Sequence, residues 1–237
     1  MKKIILLSLL ITQLFVTNVL ADTELKTSDV FVTATRRPIP KNNVIADVTT
    51  ITSEDIESAG SSSLPELLQR QPGIEISNLG GAGKVSTLSI RGSSATHSIV
   101  LIDGMRVGAA TSGFSAIEHI PLSQIEKIEI LRGPASSLYG PDAIGGVIQI
   151  FTKKGTGPFQ ANASSGYGGY GTSISDASLY GSFGDSKITS YALSGSQEIS
   201  TGFNSVAPNN GSSLSLNRTG YTRSGGAGRF AQEWSKG

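Results

Sequence analysis

Residues 98–107 read Ser98-Ile99-Val100-Leu101-Ile102-Asp103-Gly104-Met105-Arg106-Val107. An Asp-Gly pair between two β-prone runs is the strongest short-range hairpin signal, because both central residues of the tight turn need positive φ. Upstream, Val44 to Ile51 forms a strand candidate. It runs into Thr52-Ser53-Glu54-Asp55, an N-cap with acids in the first turn, and Gly60 is placed to stop that helix. Ser63-Leu64-Pro65-Glu66 reads as a capping box with Pro near the helix start, ended by Pro72-Gly73. Downstream, Ile125, Ile128, Ile130 and Leu131 predict a strand closed by Gly133-Pro134, and Val147 to Phe151 predicts a last apolar strand. Residues 44–157 are therefore expected to fold as one small α+β domain with a mixed four-stranded sheet and short helices.

Composition narrows the class of protein. The chain has 237 residues, with 19 Lys and Arg against 18 Asp and Glu, so its net charge of +1 carries no signature of a nucleic-acid partner. Charged residues make up only 16% and hydrophobic residues 38%, while 29 residues are Gly. Small and neutral polar residues have replaced charge, a profile of turn-rich β structure with a polar inner face. The absence of cysteine excludes disulfides, thiolate metal sites and thiol catalysis. With two histidines, His97 and His119, no multi-histidine metal centre is expected. No cofactor is expected either.

At the N-terminus, Lys2 and Lys3 precede an apolar run from Ile4 to Val19, and Val19-Leu20-Ala21 supplies modest residues for a peptidase. Residues 1–21 read as a secretory signal peptide; the alternative is a retained N-terminal anchor. Residues 22–43 are polar around one β-prone island and end in Arg36-Arg37-Pro38 and Pro40, a pattern expected of a mobile arm.

Residues 159–237 change texture. Ala161, Ala163, Ser165 and Tyr167 alternate with polar residues, as do Ala177, Leu179, Gly181 and Phe183, and then Thr189, Tyr191, Leu193 and Gly195. Gly184-Asp185-Ser186 is a short turn, and residues 199–220 form a long Asn/Ser/Gly-rich connection. Strands near ten residues, joined alternately by short turns and long loops, predict the first strands of an antiparallel transmembrane β-barrel. A soluble β-sandwich has similar alternation. Because closing even an eight-stranded barrel takes more than these residues hold, the barrel is expected to be incomplete in this chain and the chain a fragment or truncated product.

The strings Ile90-Arg91-Gly92, Val100-Leu101-Ile102-Asp103-Gly104, Leu131-Arg132-Gly133-Pro134, Ser137-Leu138-Tyr139-Gly140 and Ala143-Ile144-Gly145-Gly146-Val147-Ile148 follow one another in order. Upstream of them, Ser28-Asp29-Val30-Phe31-Val32-Thr33-Ala34-Thr35 resembles a TonB box. Together they resemble the plug domain of TonB-dependent outer-membrane receptors over about residues 28–155. Gly80-Gly81-Ala82-Gly83, followed by Ile90 to His97, is most similar to the cobalamin-receptor subgroup. The resemblance implies a plug held inside a barrel in the outer membrane of a Gram-negative bacterium, bathed by outer-membrane lipid, and no enzymatic activity. It implies TonB, with its inner-membrane energising complex, as partner of residues 28–35, and cobalamin or a ferric siderophore as ligand.

By the same resemblance, Val85, Thr87 and Ser94, with Thr111 and Ser112 in the next loop, are the ligand-binding positions. All are small or modest and uncharged, as a large neutral ligand requires; ordinary solvated loop residues are the alternative. Arg91 and Arg132, each before a glycine, are expected to lock plug to barrel and to stand unpaired here, or else to pair locally with Glu129 or Asp142. The subgroup binds calcium through acidic residues in an early barrel loop, but residues 199–220 contain no Asp or Glu, so calcium is not expected. Gly80-Gly81-Ala82-Gly83 and Gly166-Tyr167-Gly168-Gly169-Tyr170-Gly171 lack the strand–loop–helix context of a nucleotide site. A stand-alone, non-transporting plug module is the competing class of function, and an exported β-rich hydrolase a remote third.

Overall fold

The computed structural model describes residues 31–32, 39–40, 46–60, 63–78, 80, 83–109, 112–184, 189–204 and 218–232. The expected signal peptide and most of the arm, including Ser28, Asp29, Val30, Thr33, Ala34 and Thr35, lie outside them, as does Thr111. Two short strands, β1 (Phe31–Val32) and β2 (Ile39–Pro40), pair antiparallel with Phe31 opposite Pro40 and Val32 opposite Ile39.

The α+β domain is built on a mixed sheet of β3 (Asp47–Thr52), β6 (Ser98–Ile102), β7 (Met105–Val107), β8 (Ile125–Arg132) and β9 (Gly146–Thr152). Their order is β3-β8-β9-β6-β7, parallel only between β6 and β9. The sheet has five strands where four were expected. Asp103 and Gly104 both take positive φ, 48° and 85°, which closes a turn tight enough to keep the short return strand β7 in register with β6. A separate hairpin, β4 (Ile74–Asn78) with β5 (Ser86–Ile90), was not anticipated.

Helices begin where capping chemistry is present. Helix α1 (Ser53–Ser58) starts at Thr52, which forms a reciprocal capping box with Asp55. Helix α2 (Leu64–Gln69) starts at Ser63, whose hydroxyl accepts from the Glu66 amide at 3.4 Å. The Glu66 carboxylate pairs with Arg70 at 2.6 Å. Helix α3 (Ser136–Tyr139) is a single turn.

Both faces of the central strands are buried, which explains the unbroken apolar run Ile99-Val100-Leu101-Ile102 of β6, while Glu129 of β8 and Gln149 of β9 are buried polar side chains. On one face Ile51, Val100, Ile128, Ile130, Ile148 and Ile150 pack with Ile56 of α1, Leu64, Leu67 and Leu68 of α2, and Ile74, Leu88 and Ile90 of the β4–β5 hairpin. On the other face Ile99, Leu101, Leu131 and Val147 meet Ala135 and Ala143. Gly145 and Gly146 lie where β9 enters the sheet: a Cβ at Gly145 would meet Ser93, and Gly146 holds φ 151° against the Leu131 carbonyl.

Four longer strands follow, β10 (Gln160–Gly168), β11 (Thr172–Phe183), β12 (Thr189–Ser200) and β13 (Tyr221–Gln232). They form an open antiparallel meander in chain order, and among the described residues no barrel closes. One face turns toward the α+β domain and carries Ser164, Asp176, Ser178, Ser196, Glu198 and Arg223. The other carries Ala161, Leu179 and Leu193 in one cross-strand row, with Ala163 and Ala177 beside it and Phe230 opposite Tyr191. No helix among the described residues is long and apolar enough to cross a membrane.

Candidate functional site

Three chain segments converge where the two nominated arginines stand. Asp47 opens β3 and lies directly opposite Arg132, the last residue of β8. Arg91 follows β5 and takes a left-handed φ of 54°, which turns the chain back toward Asp47. One Asp47 oxygen accepts from Arg91 Nη2, and the other lies 3.4 Å from Arg132 Nη1. Arg132 also donates to the Pro72 carbonyl and to Thr49 Oγ1, each at 2.7 Å. Its Nη2 is buried without a partner.

The arginines are therefore not unpaired, and their partner is neither Glu129 nor Asp142. Glu129, three residues from Arg132 on the same strand, projects from the opposite face. It is fully buried and held by Lys127 at 2.7 Å, while Asp142 is taken by Arg106 at 2.8 Å.

The nominated ligand positions fall into two groups. Val85 and Thr87 lie at the end of the β4–β5 hairpin where Asn78 faces Ser86; Val85 is exposed, and Thr87 Oγ1 donates across the hairpin to the Ser77 carbonyl at 3.4 Å. Ser94 lies past the other end of β5, which at five extended residues is ~17 Å long. Its hydroxyl lies 3.0 Å from Thr96 Oγ1, and Thr96 borders Gly113. Ser112 beside it is exposed, its hydroxyl accepting from the Phe114 amide at 3.4 Å. The fold thus joins Ser94 to the Ser112 loop and Val85 to Thr87, and keeps the two pairs apart. Among the described residues no group of three or more His, Cys, Asp or Glu side chains is placed to hold a metal ion.

A second set of contacts ties the α+β domain to the long-stranded sheet. The Ser123 hydroxyl donates to Asp176 at 2.9 Å, and Arg229 lies 3.4 Å from Asp103. Arg223 donates to the Glu118 carbonyl and to the Glu198 carboxylate, and its guanidinium stands 5.2 Å over the Tyr221 ring. Beside these ties lies a cavity of about 320 Å³, lined by the polar Glu118, Asp176, Glu198 and Arg223 and by the apolar Leu122 and Ile174 among others.

Residues 40–147 match the TonB-dependent Receptor Plug Domain family, a span that contains both arginines, Asp47 and every nominated loop residue. This part of the chain is a TonB-dependent receptor plug domain. The chain is 36% identical over 186 residues to the vitamin B12 transporter BtuB of Vibrio vulnificus strain YJ016, covering 78% of this chain and 30% of that protein. It superposes on the siderophore receptor PirA of Acinetobacter baumannii with a TM-score of 0.62 at 25% identity, covering 78% of this chain and 29% of that one. The ferric enterobactin receptor PfeA of Pseudomonas aeruginosa gives 0.55 at 26% identity over 66% of this chain and 25% of that one. The chain thus spans under a third of each of these relatives, which are transporters and receptors, not enzymes.

The plug's ties to the long strands were invisible to the sequence reading. Glu118 sits in a 3-10 turn, Ile117–His119, which has no periodic pattern to mark its buried face. Arg223 lies in Tyr221–Gln232, whose glycines mask the alternation. The available signal was parity: Glu198 and Arg223 both fall on the polar set of their strands, directly opposite each other.

Proposed function

We propose that this chain is the plug and the first wall strands of a TonB-dependent outer-membrane receptor that takes up a scarce nutrient, cobalamin first among candidates. The observation that carries the reading is that the charged side chains of β10–β13, Asp176, Glu198, Arg223 and Arg229, all fall on the face toward the plug, while the outward face carries none and holds the Ala161–Leu179–Leu193 row with Tyr191 and Phe230, the arrangement of a membrane barrel with a filled lumen. Aromatic residues gather at both strand ends: Phe183 and Tyr191 with ring centres 6.0 Å apart near the short turn, Tyr170 and Phe203 5.0 Å apart at the other. Phe159 and Tyr167, eight residues apart, are ~27 Å apart along an extended strand. At the usual tilt of ~40° that is ~21 Å along the membrane normal, near the ~25 Å of an apolar barrel band.

In this reading residues 22–43 are the arm and Ser28 to Thr35 the TonB box, added as a strand to an exposed sheet edge of TonB. Phe31 and Val32 leave their pairing with Ile39 and Pro40 to do so. Arg91 and Arg132 hold the plug in the lumen, with the unpartnered Arg132 Nη2 meeting a wall carboxylate. Val85, Thr87, Ser94, Thr111 and Ser112 contact the ligand.

Cobalamin is favoured over a ferric siderophore because these positions carry no charge and because the B12 transporter is the more similar relative in sequence, at 36% against 25–26% for the siderophore receptors. Labelled cobalamin uptake by cells carrying the receptor decides it. Uptake that requires TonB supports the proposal; growth on a ferric siderophore without cobalamin uptake moves the ligand to the second class. Uptake of neither removes the transport reading.

A further inference from the structure

The geometry points to Arg223 as a latch by which the wall holds the plug, acting on the main chain at Glu118 and not on a plug side chain. This rests on reading β10–β13 as wall strands. Arg223 and Glu198 occupy directly opposed register positions on β13 and β12, so this cross-strand ion pair belongs to the wall alone. The guanidinium has five donors in a rigid fork, and one of them is spent beyond the pair, on the Glu118 carbonyl. Tyr221 holds the arrangement in place: its ring lies under the guanidinium and its hydroxyl donates to Glu198. The guanidinium is therefore oriented before any plug contact is made.

The plug side is equally constrained. Glu118 is 7% exposed, in a turn whose neighbour Ile117 is part of the plug core. A pull on this carbonyl is thus transmitted to the core itself. The Glu118 side chain is a poor tether: one oxygen is buried without a partner, and the other lies 3.8 Å from His119 Nε2. The cavity beside it, about 320 Å³ and bounded by Asp176, Glu198 and Arg223, marks the seam between the two surfaces. Ser123 to Asp176 is the neighbouring tie across that seam.

The test uses the complete receptor in outer-membrane vesicles. These 237 residues contain no cysteine, so, with any cysteine elsewhere in the receptor replaced by serine, a Ser123→Cys reporter at the seam reads plug–wall separation through its labelling rate with a membrane-impermeant maleimide. Against that background, Arg223→Ala is expected to speed labelling about tenfold or more, the factor that a charge-assisted hydrogen bond carries. Arg223→Lys should fall between, since an ammonium cannot span both acceptors as a planar fork does. Glu118→Ala should leave the rate near that of the reporter alone, because the acceptor is main-chain.

Heat-modifiable migration of the barrel is followed in the same samples. Unchanged labelling in Arg223→Ala overturns the latch. Faster labelling accompanied by loss of heat-modifiability also overturns it, since Arg223 would then hold the wall together and not the plug. A parent protein that never shows heat-modifiable migration refutes the wall reading instead, and the labelling comparison still answers whether Arg223 holds the two parts together.

Discussion

Replacing Asp47 by Asn keeps the shape of the residue that joins Arg91 to Arg132 and removes its charge. The structure sets the size of the effect. The Arg91 pair has both side chains about half exposed, 52% and 50%, so it contributes at most ~1 kcal/mol. The Arg132 side chain is 4% exposed, and without Asp47 its charge is left with only the Pro72 carbonyl and Thr49 hydroxyl. Breaking a fully buried pair costs ~3–5 kcal/mol. With Asp47 half in water and 3.4 Å away, a third of that, about 1 kcal/mol, is the reasonable share. The sum is ~2 kcal/mol, or ~30-fold in an opening equilibrium. It should appear locally, because β3 is an edge strand and Asp47 is its first residue. Hydrogen exchange followed by mass spectrometry on the receptor should show residues 47–52 exchanging ~30-fold faster, while β7, at the opposite edge of the same sheet, is unchanged. Exchange at β3 within twofold of the parent would show that the carboxylate does not hold the strand.

Four further substitutions act locally. Hydrogen bonds from the Thr52 backbone N–H, and secondly from its hydroxyl, hold the Asp55 carboxyl below its ordinary 3.8, so the capping box stabilises α1 above that pH and the contribution fades as pH falls through the lowered value. Asp55→Asn should therefore flatten the difference in melting temperature between about pH 5 and about pH 3, and Thr52→Ala should cost about 1 kcal/mol in a denaturation series. Gly145→Ala would drive a methyl into Ser93 and toward the Ile90 carbonyl, so it should lower the yield of folded receptor, measured as protease-resistant plug. Val32→Pro removes a donor and restricts the arm, so cobalamin uptake should be lost while cobalamin binding to vesicles stays normal. Uptake that survives would take residues 28–35 out of the mechanism.

The plug was legible because its signals are local. Asp103-Gly104, the Thr52 and Ser63 caps and the Ile/Val/Leu runs each act within a few residues, and each was found where the sequence placed it. The β4–β5 hairpin escaped because its pattern, Ile74 and Ile76 against Leu88 and Ile90, is divided by a glycine-rich stretch that reads as loop. β13 escaped for a similar reason, since Ser224, Gly225, Gly226 and Gly228 offer no side chains to alternate. The arginine pairing was not legible at all: Asp47 and Arg132 are 85 positions apart, and only the β3–β8 register makes them neighbours.

The same distinction explains which parts of the junction sequence can reveal. A face that meets lipid must be apolar along its whole length, so it leaves a period of two in the sequence. A face that meets the plug need only satisfy the particular polar groups it opposes, and one such group here is a main-chain carbonyl that any residue would supply. Arg223 is thus specified by its neighbours on β12 and β13, Glu198 and Tyr221, whereas its plug partner is specified by the path of the backbone through Ile117–His119. A change at position 118 that preserves that turn should leave plug and wall joined. A change that moves the turn, such as truncating Ile117 in the core, should loosen the seam although Ile117 itself is not among the residues lining the cavity. Faster labelling of the Ser123→Cys reporter in Ile117→Ala than in Glu118→Ala is the expected order, and the reverse order would place the hold on the Glu118 side chain.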